Sequence, residues 1–283
     1  MKNVILYNPY SNNKRGQESA KEVEAFVTGE TVFEDITKIK DILGYINNAD
    51  AEDKLILVGG DGTINHLAND LKGTVPDKEI LLFAAGTGND FKADIAPAEN
   101  EHFISLNKYL SDLPTVTING KTTYFLNGIG YGIDGYCCEV GDKLRAASDK
   151  PVNYAGIAIK GLLFHFKPRN ATIIVDGEEK TYKHVWLAPT MKGRFYGGGM
   201  MVAPEQNRLD QSREVSTVVM YGSGKFKTLM VFPSIFKGEH VSHKEMVEVR
   251  KGHNITVKFD TPCALQIDGE TVLNVSEYTV QAK

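Results

Sequence analysis

Several protein classes are excluded by what this chain has little of. Three cysteines among 283 residues, two of them adjacent (Cys137, Cys138), make neither a disulfide framework nor a metal-binding spacing. A reducing cytoplasm is the natural setting for such a sequence. No apolar run approaches the length of a membrane span. The opening stretch, Met1 to Pro9, is too short in its apolar part for a secretory signal and reads as a first buried strand. Positive charge is not in excess: the formal net charge is −4, which argues against a nucleic-acid binder working by phosphate neutralisation. Internal repeats and low-complexity tracts are missing too. What is there, 42 % hydrophobic and 24 % charged residues, is ordinary globular composition with length for one or two domains.

The rest of the chain is organised around Leu55 to Leu71. Leu55 to Val58 is an apolar run of strand length bounded by glycines. Ile64, Leu67, Ala68 and Leu71 then recur at i, i+3, i+4, i+7, one apolar face of a helix. Gly59, Gly60, Asp61, Gly62 and Thr63 are therefore a strand-to-helix turn. Glycine lets another group approach the backbone closely, and the amides and positive dipole end of the helix point at whatever sits there. That is where a phosphate binds. A carboxylate in the middle, Asp61, would repel phosphates unless a divalent cation lay between, so the physics suggests phosphate plus Mg²⁺. The competing reading is an ordinary βα turn in which Asp61 caps the helix.

Around this turn, strands and helices alternate. Val4 to Tyr7 reads as a strand, followed by a polar loop, Asn8 to Gly16, and a helix over about 18–28. A strand near Thr31 to Phe33 and a helix from about Lys38 to Asn47 precede the central strand, and Ile80 to Ala84 follows it. This alternation implies right-handed crossovers and a mainly parallel sheet, with ligands at the carboxyl ends of its strands. From Thr115 the texture changes to short β-rich runs: 116–118, 122–128, 171–175, 181–188, 215–221, 246–249, 254–259 and 264–267. Asn119-Gly120 and Asp176-Gly177 are hairpin signals. The expectation is two domains: residues 1–114, a nucleotide-binding α/β domain with a mainly parallel, Rossmann-like sheet, and residues 115–283, an antiparallel β-sandwich.

Three further stretches have two readings. Gly130-Tyr131-Gly132-Ile133-Asp134-Gly135 matches GxGxxG, but no second parallel strand ending in an acid follows, so it reads as a glycine-rich turn. Gly120-Lys121-Thr122 is no Walker loop, because position 115 is Thr. Residues 150–169 mix bulky apolar side chains with Lys150, Lys160, Lys167 and Arg169. That pattern suits the surface of an anionic bilayer, and equally a helix packed on the β domain with solvated lysines.

Gly59-Gly60-Asp61-Gly62-Thr63 resembles the GGDGT signature of the diacylglycerol-kinase catalytic family, which holds soluble bacterial lipid kinases and sphingosine kinases and is distantly similar to NAD kinases. Gly86-Thr87-Gly88-Asn89-Asp90-Phe91 resembles a second family loop, with Ala84 where relatives carry proline. Asn8-Pro9 opens a loop similar to the family's NP-x-x-G, with Asn12 in the glycine position. His66 stands where many members have glutamate. Asn127, Gly132 or Gly130, and Asp134 resemble an N-x-x-x-G-x-D segment. Gly197 to Pro204, Gly238-Glu239-His240 and the near-terminal Asp268-Gly269-Glu270 continue the likeness over nearly the whole chain.

The resemblance implies an ATP- and Mg²⁺-dependent lipid kinase, cytoplasmic and peripherally attached to membrane. Its acceptor is a lipid, diacylglycerol first. An NAD-kinase-like enzyme for a soluble substrate and a silent nucleotide- or lipid-binding regulator are the rivals. Asn8, Ser11, Asn12 and Thr37 would contact the nucleotide. Backbone amides from Gly60 to Asn65 and of Thr87, beside Gly59, Gly62, Thr63 and Gly86, would hold the phosphates. Asp61 would place Mg²⁺, and Glu270 would be the general base. Asp210, with Asn207 and Ser212 as carbonyl donors, would hold a structural Mg²⁺, although Gln211 replaces the usual glycine. The active site is expected in a cleft between domains, closing during turnover. A homodimer is left open.

Overall fold

Buried apolar runs build the first sheet. Val4 to Leu6 and Leu55 to Val58 are buried throughout, as central parallel strands covered on both faces must be. The computed structural model describes residues 1–85, 89–147 and 152–283. The chain divides into two compact units, Met1–Leu113 and Pro114–Lys283.

In the first unit, β1 (Lys2–Tyr7), β2 (Glu30–Asp35), β3 (Lys54–Gly59), β4 (Ile80–Ala84) and β5 (Ile104–Ser105) stand in the order β2-β1-β3-β4-β5. All pairings are parallel except β4 with β5. The helices are α1 (Ser11–Lys14), α2 (Gly16–Lys21), α3 (Ile42–Asn47), α4 (Asp61–Asp70), α5 (Asp90–Ile95) and α6 (Asn107–Leu110). Two differ from expectation. α2 stops at Lys21 and tightens into a 3₁₀ turn, Glu22–Ala25. The helix expected from Lys38 starts at Ile42, because the Asp41 carboxylate accepts the Gly44 amide at 3.0 Å and caps it there. Tyr7 lies opposite both Asp35 and Val58, and Gly59 opposite Ala84. The parallel strands thus end level, and the loops after β1, β2, β3 and β4 leave one edge of the sheet.

The second unit is antiparallel. Its strands are β6 (Thr115–Ile118), β7 (Lys121–Tyr124), β8 (Gly128–Tyr131), β9 (Arg169–Val175), β10 (Glu178–Val185), β11 (Thr190–Met191), β12 (Phe195–Tyr196), β13 (Met200–Met201), β14 (Val215–Met220), β15 (Val247–Gly252), β16 (Asn254–Ile267) and β17 (Glu270–Gln281). The main sheet runs β15-β14-β11-β8-β16-β17-β6-β7, with β9 on β16 and β10 on β9. The two expected runs 254–259 and 264–267 are halves of one strand, β16. Its first half pairs with β9 and its second with β8, and its register against β17 shifts between Lys258 and Cys263. That irregularity lets one sheet fold over a single core, in which Tyr131 stacks on Phe259 at 4.0 Å between centroids. β17 escaped the sequence reading because Asn274, Ser276 and Glu277 break its apolar pattern.

A second core lies between sheet residues such as Trp186, Leu187 and Val218 and the helices α7 (Ile133–Ala147), α8 (Tyr154–Lys160) and α9 (Lys225–Val231). The GxGxxG turn belongs here. β8 is flanked by antiparallel β11 and β16, so no βαβ unit exists at this point. The glycines serve packing instead: a Cβ on Gly135 would sit 1.9 Å from the Ala264 carbonyl oxygen.

Candidate active site

At the carboxyl edge of the parallel sheet, the loop after β1 is held by its own polar groups. The Asn8 side-chain oxygen accepts the Tyr10 amide at 2.9 Å, and its carbonyl accepts the Ser11 hydroxyl at 2.7 Å. Asn12 adopts φ +49°, the left-handed conformation a glycine would take, and its amide nitrogen donates to Ser19 Oγ at 3.1 Å. Gly16, which the sequence reading passed over, closes the loop: a Cβ there would lie 1.9 Å from the Asn8 carbonyl oxygen. Thr37 is exposed at the end of β2, with amide and hydroxyl both donating to Asp35 Oδ1 at 3.0 and 2.6 Å.

The central turn behaves as the start of a helix. Gly60 precedes α4, and the amides of Thr63 and Ile64 turn back onto its carbonyl at 3.0 and 3.2 Å. Asn65 lies deeper in the helix, where its side-chain oxygen accepts from Asn69 at 3.1 Å. The glycine amides ahead of this closed turn, at Gly60 and Gly62, are therefore the donors best suited to an anion. Gly59 has no room for a side chain, since its Cβ would meet Thr63 Oγ1 at 2.3 Å. Asp61 reaches across to the second loop. Its carboxylate accepts the amides of Asp90 at 2.9 Å and Phe91 at 3.2 Å, capping α5 rather than its own helix. It so ties the two phosphate-type loops together. Gly86 and Thr87 lie outside the described residues. His66 is exposed on α4.

In the second unit, Glu270 is the first residue of β17, exposed and paired with Ile267 across the two-residue turn Asp268-Gly269. Both turn residues have positive φ, +47° and +95°, as a type I′ hairpin requires. The Asp268 carboxylate accepts the amides of Leu126, Asn127 (2.8 Å) and Gly128 (3.0 Å). The buried guanidinium of Arg208 donates to the Leu126 carbonyl and to Asn127 Oδ1. The Asn127 carbonyl accepts the amides of Lys192 and Gly193 at 2.9 and 3.0 Å. A carboxylate and a guanidinium thus clamp one loop beside the hairpin that presents Glu270. Arg208 and Asp268 were not read as site residues from sequence. A cation beside Asn207 in a polar loop was the only trace of the first.

The loop expected to hold a structural Mg²⁺ is closed on itself. The Asn207 carbonyl accepts the Asp210 amide at 3.2 Å, the Asp210 carboxylate accepts the Ser212 amide at 2.8 Å, and the Ser212 carbonyl accepts the His253 ring at 2.7 Å. Hydrogen bonds from Ser212 hold the Asp210 carboxyl below the usual range. Mg²⁺ demands about six oxygens in near-octahedral array. Asp210 offers one exposed carboxylate, and the Asn207 and Ser212 carbonyls each keep a second lone pair beside the hydrogen bond they accept, so a Mg²⁺ held here would complete its shell with water. Among the described residues no group of three or more His, Cys, Asp or Glu side chains could hold a metal.

Comparison with known proteins follows the same division. The family described as diacylglycerol kinase catalytic domain matches residues 2–110, and that described as YegS C-terminal NAD kinase beta sandwich-like domain matches residues 127–280. The chain belongs to the diacylglycerol kinase catalytic family. It is an enzyme of the kinase class. A relative named diacylglycerol kinase, from Mycobacterium tuberculosis, is 27 % identical over 223 residues, spanning 76 % of this chain and 69 % of that protein. A crystal structure of a diacylglycerol kinase from Bacillus anthracis, 16 % identical, superposes with a TM-score of 0.59 over 99 % of this chain and 93 % of that one, a likeness of fold. The Asp61 carboxylate is held by two backbone amides, and the Glu270 backbone is paired with Ile267 in the hairpin.

Proposed function

We propose that this family member transfers the γ-phosphate of ATP to the hydroxyl of a lipid, with diacylglycerol as first choice of acceptor. The observation that carries the reading is Asp61 joining a glycine-amide helix start to the second loop, in a chain matching the diacylglycerol kinase catalytic domain. Phosphoryl transfer asks mainly for positioning and charge neutralisation. The Gly60 and Gly62 amides and the dipole of α4 would hold the phosphates, and the Asn8 to Asn12 loop and Thr37 would contact the nucleotide. Asp61 is the one carboxylate at this turn, so it suits a cation arriving with ATP. Mg²⁺ bound there would offset the phosphate charge. Glu270, exposed on a locked hairpin, would take the proton of the acceptor hydroxyl as that oxygen bonds to the γ-phosphorus and ADP leaves. Turnover would then need both units, since the phosphate turn belongs to one and the base to the other. The preference for a lipid over NAD rests on the diacylglycerol kinase named among its relatives.

The test is transfer of labelled γ-phosphate from ATP/Mg²⁺ to a panel of lipids in mixed micelles, with NAD as soluble control and Asp61→Ala as blank. A labelled lipid that disappears with Asp61→Ala is expected. Labelled NAD, or no product while ATP still binds by calorimetry, would overturn the lipid-kinase reading.

A further inference from the structure

Two amphipathic segments of the second unit bury one apolar face and expose another. In α8 and the π-helical turn that continues it (Gly161–His165), Ile157 and Leu162 are buried in the helix-covered core, while Ile159 is 47 % and Phe164 71 % exposed. In α9, Thr228 and Val231 are buried, while Phe226 is 80 % and Met230 75 % exposed. The two pack together, and Lys225 Nζ donates to the Leu163 carbonyl at 3.1 Å. Phe164 and Phe226, each next in the chain to one of those partners, therefore stand on adjoining turns. Large apolar side chains this exposed on two segments packed against each other mark a contact surface.

Charge says which contact. Residues 152–175 contain Lys160, Lys167 and Arg169, and residues 215–238 contain Lys225, Lys227 and Lys237, yet neither stretch contains an aspartate or glutamate. Lys227 pairs with Glu245 from outside them, at 2.9 Å. A two-fold pairing with a second copy would set these cations against each other. An anionic bilayer satisfies both features, taking the apolar side chains into its interface and the lysines at its headgroups. No helix among the described residues is long and apolar enough to cross a membrane.

We propose that the outward face of α8 and α9, centred on Phe164, Phe226 and Met230, is the surface by which the protein lies on an anionic membrane. This rests on the lipid-acceptor reading only for its purpose, and its test uses neither ATP nor acceptor. Partitioning onto phosphatidylcholine vesicles with about 30 % phosphatidylglycerol is measured by sedimentation, against pure phosphatidylcholine. The wild-type chain is expected to bind the anionic vesicles and to release partly at high salt. Phe164→Ser with Phe226→Ser should weaken that binding roughly tenfold or more, and Lys160→Glu with Lys237→Glu several-fold, at unchanged thermal midpoint. Equal partitioning of the variants and wild type overturns the proposal. So does a wild-type chain that ignores anionic vesicles, or one whose dimer is what the serine variants dissolve. Label transfer to a water-soluble short-chain diacylglycerol, measured separately, should be untouched by these substitutions, and its absence would count against the kinase reading alone.

Discussion

Single side chains here act through the backbone they hold. Asp61 spends its carboxylate on two amides 29 and 30 residues away, and Asp268 spends its own on three amides about 140 residues away. Arg208 completes the second clamp from inside the protein, where its lost hydrogen bonds cannot be replaced by water. Arg208→Ala should cost on the order of 3 kcal/mol of stability, since two charge-assisted hydrogen bonds vanish. It should also lower kcat far more than it alters ATP affinity, because the clamp supports the hairpin of Glu270 and not the phosphate turn. Arg208→Lys should recover only part of both, because a single ammonium cannot copy the guanidinium fork. Denaturant unfolding and calorimetric ATP titration check these; equal loss of ATP affinity would count against the assignment.

Among elements, the hairpins make the sharper comparison. Asp176-Gly177-Glu178 and Asp268-Gly269-Glu270 repeat one device: a type I′ turn whose aspartate accepts neighbouring amides, in the first case those of His253 and Asn254. They differ in their glutamates: Arg250 donates to the Glu178 carbonyl at 2.8 Å and lies 3.6 Å from its carboxylate, whereas the hairpin of Glu270 stands beside the loop that Asp268 and Arg208 clamp. Glu270→Gln should abolish turnover, a loss of roughly 10²–10⁴-fold for a general base, and leave ATP binding nearly intact. Glu178→Gln should be silent in the same assay. Wild-type activity in Glu270→Gln would remove the base assignment. The loop from Asn207 to Ser212 supports a different expectation. Its own hydrogen bonds hold it in place, so chelation of divalent cations without nucleotide present should leave the thermal midpoint within about a degree. A large drop would show that a structural metal adds to that hold.

Across the whole molecule, two buried titratable groups set opposing dependences on pH. Burial pushes the Asp134 carboxyl up to about 7 from an ordinary 3.8, against the Tyr196 hydroxyl, which lowers it. The folded chain therefore keeps a proton that the unfolded chain has released, and this stability is complete below about pH 4 and declines as pH rises to 7. His240 is the reverse: burial lowers it to about 4 from 6.5. Its Nε2–H donates to the Val202 carbonyl at 3.0 Å, and Nδ1 has no partner for a second proton. Its contribution is present above about pH 6.5 and is lost as pH falls towards 4. Asp134→Asn should remove the decline towards pH 7, raise stability at pH 8 by a few kcal/mol on the order-of-magnitude scale of such shifts, and leave the acid loss of His240 in view. Denaturant midpoints from pH 4 to 8 test this; parallel curves for variant and wild type would refute it. The sequence by itself determined the parts whose causes are local. The glycine turn, the apolar period of α4, the Asn-Gly and Asp-Gly hairpins and the motifs of the family all lie within a few residues. Only the tertiary structure decided that β16 serves two stretches of sheet, that Asp61 caps α5, and that Arg208 clamps Asn127. These depend on groups brought together from distant segments, and a contact across 30 to 140 residues is set by packing and leaves no period or spacing in the chain to read.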